Sequence, residues 1–152
     1  MSKEFKGIKL LRKVINDLSD FLPYLVLVGG WVPYIYAKYI WKNVPNLAVT
    51  TGDIDFGVGA QDFRGKETIS SRVQKLGYGE WHVSMDRMIP FIPIVKDVDG
   101  DLKAEVEFIT DPKVQKDVVN KIIGTAIKVN EIKHFGLLLG SVVTVKMDAK
   151  DI

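Results

Sequence analysis

Hydrophobic positions along the chain repeat with two periods, and the alternation between them predicts the order of elements. Between residues 4 and 20, Ile8, Leu11, Val14, Ile15 and Leu18 recur at steps of three and four with Lys and Asp between them, the spacing of an amphipathic helix. Pro23 closes that pattern, and residues 24–29 carry the short apolar run of a buried strand, Leu25-Val26-Leu27-Val28. The helical period returns over 31–42, with Val32, Ile35, Tyr36, Tyr39 and Ile40 on one face. Pro33 falls in its first turn, where a missing N–H costs little. Pro45 marks the exit, 46–52 reads as a loop, and Asp53 to Val58 as a second strand.

Ile69, Val73 and Leu76 predict a helix over 66–76, stopped by Gly77-Tyr78-Gly79. A strand is expected over 80–85. Residues 88–98 are apolar and β-branched, with Pro90 and Pro93 pushing them towards a sheet edge. Asp99-Gly100 is a turn signal. Beyond it the chain alternates, with Leu102, Ala104, Val106 and Phe108 on one face and Lys103, Glu105 and Glu107 on the other. A helix over 112–122 follows Asp111-Pro112, then short strands at 126–129 and 141–145, while Leu137-Leu138-Leu139 fits either strand or helix. The fold class is α+β with an α/β-like order of elements. A mixed sheet carries strands 24–29, 53–58 and 102–109 side by side, with flanking helices on one side. Residues 1–152 read as one domain, and the stop at Asp151-Ile152, straight after a strand-like segment, raises the expectation of a longer parent chain.

Two stretches of this pattern carry chemistry. Leu25-Val26-Leu27-Val28-Gly29-Gly30 is an apolar run that ends in two glycines, and a helix opens on Trp31. Glycine lets backbone come close to a ligand, and the N–H groups at a helix start favour an anion, so a phosphate is the natural guest. Free N–H groups are expected from Gly30, Trp31 and Val32. In Thr51-Gly52-Asp53-Ile54-Asp55-Phe56 the two carboxylates share one strand face. Like charges so placed repel, and a divalent cation offsets the repulsion. Glu107, between Val106 and Phe108, is a third carboxylate on a later strand. Each piece alone has a plainer reading: a turn for the glycines, a solvated strand edge for the aspartates, an outward strand residue for Glu107.

Taken in order, Val28-Gly29-Gly30-Trp31, a helix, then Thr51-Gly52-Asp53-Ile54-Asp55-Phe56 resembles the nucleotidyltransferase superfamily that includes DNA polymerase β. The Gly-Gly-Trp form and the Asp-Ile-Asp strand look most like the AbiEii-type toxins and related small prokaryotic nucleotidyltransferases. The resemblance spans roughly residues 20–110. It implies the nucleotidyltransferase fold and a magnesium-dependent transfer of a nucleoside monophosphate from a nucleoside triphosphate to a hydroxyl. Asp53, Asp55 and Glu107 are then the catalytic and metal-binding residues, and Gly29, Gly30 and Trp31 the nucleotide-binding ones. Two Mg2+ ions about 3.5–4 Å apart are the usual complement of such carboxylates. The acceptor would be an RNA end, a protein side chain or a small molecule, in a setting related to toxin–antitoxin systems. The choice of Glu107 over Glu105, which shares its face, also rests on the resemblance.

Composition narrows the field from outside. The chain has 152 residues, of which 47% are hydrophobic, enough for a real core. With 21 basic and 19 acidic residues the formal net charge is +2, which argues against holding nucleic acid by bulk electrostatics and leaves room for a local basic patch. There is no cysteine, so neither a disulfide framework nor a cysteine-ligated zinc site is available. No secretory leader and no membrane-length apolar run are seen, so a cytoplasmic protein without a membrane partner is expected. His82 and His134 lack metal-ligand spacing and read as ordinary surface or packing residues. Trp31, Tyr34 and Tyr39 sit at helical spacing that favours core packing over base stacking. Arg87, Lys96 and Lys103 flank the turn at 99–100 and read as solvated charges that could reach a triphosphate. Two alternatives to an enzyme stay open: a non-catalytic module of the same fold that binds nucleotide or a partner, and a structural domain with no nucleotide site.

Overall fold

The computed structural model describes residues 3–42, 53–59, 63–80, 94–99, 102–124, 127, 129–139 and 142–146. Helix α1 (Lys3–Asp17) precedes a 3-10 segment, Ser19–Tyr24, in which Pro23 sits. Strand β1 (Leu25–Val28) leads through a tight turn into α2 (Val32–Ile35), which widens into a π-helical turn over Tyr36–Trp41. Strand β2 (Asp53–Val58) follows, then α3 (Ile69–Lys75), β3 (Gly79–Glu80), β4 (Ile94–Asp99), β5 (Leu102–Thr110), α4 (Lys116–Ile123), β6 (Val129–Glu131) and the short α5 (Gly136–Leu139).

The strands form one mixed sheet of six in the order β1-β2-β5-β4-β3, with β6 added to β5. β1 runs antiparallel to β2, and β2 parallel to β5. The expected neighbours therefore lie side by side. β4 and β6 both pair with β5, β4 along Leu102–Val106 and β6 along Phe108–Thr110. Since β2 already occupies the other edge of β5 from Glu105 to Thr110, β4 and β6 follow one another along the same edge.

The register decides which side chains share a face. Ile54 lies beside Val106, Phe56 beside Phe108 and Val58 beside Thr110. Their rings and methyls meet Ile8, Leu11, Val14 and Leu18 of α1, Ile69 and Val73 of α3, and Val119, Ile122 and Ile123 of α4 in one core. Phe56 and Phe108 stack with centroids 6.1 Å apart. Helices α1, α3 and α4 therefore cover one side of the sheet, and Asp53, Asp55, Glu105 and Glu107 lie on the other.

Several element boundaries differ from the sequence reading, each for a local reason. α1 ends at Asp17, whose carboxylate accepts from Lys13 Nζ and Tyr78 Oη, both at 2.7 Å. Burial and that carboxylate push the Tyr78 phenol above its ordinary value. α3 starts at Ile69 instead of 66 because the Thr68 hydroxyl caps it, accepting from Ser71 N–H at 3.2 Å. α4 starts at Lys116, since Asp111 folds the preceding residues into a turn, with Val114 N–H donating to Asp111 O at 2.9 Å. The buried face of the second helix is Trp31, Tyr34 and Ala37, not the predicted Val32, Ile35, Tyr36, Tyr39 and Ile40; the tight entry and the wide π exit rotate the pattern. Of the strand expected at 126–129, Val129 is strand, in Val129–Glu131 paired with Phe108–Thr110, Ile127 lies in a bend, and 126 and 128 fall outside the described residues. The strand expected at 141–145 is absent from 142–146: Val142 and Val143 are exposed, and β-branched residues favour a strand only where they pack. Leu137-Leu138-Leu139 is helical. The β4–β5 pairing closes with Asp99 opposite Leu102, one residue on from the expected turn. The segment 80–85 is strand at Glu80, and its remainder, like 88–93 and the loop at 46–52, lies outside the described residues. Among the described residues, no helix is long and apolar enough to cross a membrane.

Candidate active site

The site begins where β1 ends. Val28 is fully extended, and Gly29 then takes φ +78, a left-handed conformation that glycine adopts without steric cost. Gly29–Trp31 makes a single 3-10 turn into α2, with Pro33 in the first helical turn as its sequence position implies. The Trp31 ring is 1% exposed and packs edge-to-face on Tyr34 at 5.8 Å, which anchors the turn to the core. Of the three proposed nucleotide-binding residues, Gly29 and Gly30 are exposed, whereas Trp31 is buried, backbone included. One expectation is corrected: the Val32 N–H donates to Gly29 O and is not free.

The turn touches the carboxylates. Val28 lies opposite Asp55 in the β1–β2 pairing, and a Cβ built on Gly29 would stand 2.5 Å from Asp55 Oδ2. Gly29 is thus required twice, for its positive φ and for the space that Asp55 takes. On the far side of β2, Asp55 lies beside Glu107 and Asp53 beside Glu105. Parallel neighbours are about 4.8 Å apart and project to the same face, so four carboxylates stand on one surface. A side-chain hydrogen bond between the two carboxyls favours the protonated form of Glu107 and the charged form of Asp55. Burial, then the charges of Asp55 and Asp53, push Glu107 up to about 7. Burial also raises Asp55, opposed in part by the hydrogen bond from Glu107.

These residues fit a cation in one respect and fall short in another. Asp55 Oδ1 is buried with no hydrogen-bond partner, and an acceptor in that position gains from a positive charge. Asp53 lies at the exposed start of β2, and among the described residues no group of three or more His, Asp or Glu is arranged to hold a metal ion. The structure thus joins Asp55, Glu107 and the Gly29-Gly30 turn, and leaves Asp53 one pleat along the same face. His134 is exposed at φ +66 in the turn before α5, while His82 and Arg87 lie outside the described residues. The backbone at 96 and 103 belongs to β4 and β5, away from the β1–β2 edge.

Sequence reasoning missed the wall at the other end of this surface. Gly57, two residues beyond Asp55 on the same face, lies under Phe135 and Leu139: a Cβ there would meet Phe135 Cε1 at 2.8 Å and Leu139 Cδ2 at 3.0 Å. Asp111 fixes that wall, accepting from Lys113 N–H at 3.0 Å and Gly136 N–H at 2.8 Å. Those two N–H groups hold its carboxyl below the ordinary range. The only sequence signal for the wall is the glycine itself, since a glycine inside a strand marks close approach of another segment. No family model matches the chain, and no curated protein or solved structure matches it.

Proposed function

We infer that the chain is a magnesium-dependent nucleotidyltransferase of the DNA polymerase β-like fold, moving a nucleoside monophosphate from a nucleoside triphosphate to a hydroxyl acceptor. The observation that carries this reading is the meeting of Asp55, Glu107 and the Gly29-Gly30 turn on the open side of the sheet. The turn offers backbone to phosphate, and the carboxylates offer oxygens to magnesium. In the reaction the acceptor oxygen bonds to the α-phosphorus, the bond to the bridging oxygen breaks, and pyrophosphate leaves. The acceptor's proton passes to a carboxylate. Glu107, raised to about 7, has the affinity for that role near neutral pH. Asp53 and Asp55 would hold magnesium, which when bound neutralises phosphate charge and acidifies the attacking hydroxyl. Acceptor classes remain an RNA end, a protein side chain or a small molecule, in a cytoplasmic, toxin–antitoxin-related setting.

A second reading has one observation of its own. Asp55 and Glu107 are hydrogen-bonded to one another, an arrangement that also suits a nucleotide- or partner-binding module without chemistry. The two readings part in one experiment. Each nucleoside triphosphate, labelled at the α-phosphate, is incubated with cell extract and the protein, with and without magnesium, and the label is followed into RNA, protein and small-molecule fractions. Magnesium-dependent transfer from one nucleotide into one fraction supports the enzyme; triphosphate binding without transfer supports the module.

A further inference from the structure

A second surface lies away from the carboxylates. The π-helical end of the second helix and the segment 142–146 enclose an open groove of about 500 Å³. Lys38, Lys42 and Lys146 line it together with Tyr39, and among the described residues no acidic side chain does. The Lys42 N–H donates to Ala37 O at 3.1 Å, a five-residue span, and Lys42 itself sits at φ 60, which non-glycine residues seldom adopt. Such widened turns and left-handed residues cluster at functional sites. The Lys38 ammonium lies over the Tyr34 and Tyr39 rings at 5.7 and 5.6 Å, which steadies its position at the groove. Trp41, beside the groove at the end of the same π-helical turn, is 58% exposed and is propped at 5.7 Å against the Tyr36 ring.

We propose that this groove binds single-stranded nucleic acid, the three lysines meeting successive phosphates and Trp41 stacking on a base. Cations alternating with aromatic rings are what an unpaired strand requires: phosphates need charge, and bases without partners need a flat apolar face. A duplex keeps its bases stacked and gains nothing from Trp41. The groove shares no residue with the carboxylate site, so the proposal goes beyond the transferase reading and stands independently of it.

The test is fluorescence polarisation of a labelled ten-nucleotide single strand, in EDTA, at salt from 50 to 200 mM. Three phosphate contacts give a slope of log affinity against log salt near −2, about a sixteenfold loss across that range. Lys38→Gln/Lys42→Asn/Lys146→Gln should bind about tenfold more weakly at 50 mM, with Asn chosen at 42 because it tolerates the left-handed backbone. Lys113→Gln/Lys116→Gln/Lys121→Gln, which removes the same charge near α4, should bind like the parent. Trp41→Ala should weaken the oligonucleotide several-fold and leave inorganic polyphosphate unchanged. If circular dichroism shows the first triple variant unfolded, Lys146→Gln alone, in an irregular segment, should still cost a few-fold. Equal losses in both triple variants would mean bulk charge and overturn the proposal. So would duplex binding as tight as single-strand binding, or polyphosphate binding lowered by Trp41→Ala to the same extent as the oligonucleotide.

Discussion

Among single residues, Gly29, Asp55 and Glu107 hold the site together. Gly29→Ala meets a positive φ and a carboxylate oxygen 2.5 Å from its new methyl, so a stability loss of about 1–3 kcal/mol is expected by urea denaturation. A variant as stable as the parent would mean that the turn and Asp55 are not in contact. Glu107 makes a prediction about pH. Its folded value, about 7, lies above its ordinary 4.5, so between those two values the folded chain holds the extra proton. Stability from this group is therefore full below about 4.5 and is lost as pH rises through about 7. In EDTA, melting temperature should fall over that window, and Glu107→Gln should flatten the fall. Magnesium should restore stability at the upper end, since a ligand that binds the native state stabilises it. These residue types and their order were legible in the sequence because strand alternation fixes the face of Asp53, Asp55, Glu105 and Glu107. What alternation could not fix was which carboxylates meet. That depends on register, and only the β2–β5 pairing puts Asp55 beside Glu107.

At the scale of elements, strong periods were legible and weak ones were not. β2 and β5 alternate cleanly, and each packs its apolar half on three helices. Phe108→Ala, which removes a fully buried ring from that packing, should cost about 3–5 kcal/mol by urea denaturation; a loss under 1 kcal/mol would contradict the placement of the core. β6 and α5 carry few residues, and their positions come from tertiary partners that no local pattern encodes. α5 is held through Asp111, and this contact is also testable. Asp111→Ala removes the acceptor for Gly136 N–H and Lys113 N–H, so amide exchange at Gly136 should quicken while exchange in β2 stays slow. Because the Asp111 carboxyl is held below its ordinary 3.8, its contribution is present above that value and is lost as pH falls through the lower, folded one. Unchanged exchange at Gly136 would show that another contact holds α5.

At the scale of the molecule, three long helices on one side of the sheet leave the other side for the carboxylates, with the Gly29-Gly30 turn beside Asp55 and Phe135 closing over Gly57. Exposed Leu137 and Leu138 lie just beyond that wall. The mixed sheet and the helices on its apolar side were legible from the order of periods along the chain, but α5 on the other side and the wall it forms with Phe135 over Gly57 were not, since that contact joins distant residues through side-chain shape alone. Whether Asp53, Asp55 and Glu107 perform nucleotidyl transfer is read most plainly from the initial rate of magnesium-dependent label transfer from α-labelled nucleoside triphosphate by the parent and four variants. Asp53→Asn and Asp55→Asn should abolish transfer and weaken magnesium binding. Glu107→Gln should retain most triphosphate binding and lose transfer, while Glu105→Gln should transfer at close to the parent rate. A dead Glu105→Gln beside an active Glu107→Gln would move the third carboxylate by one pleat, and all four variants matching the parent in transfer and metal binding would contradict the account.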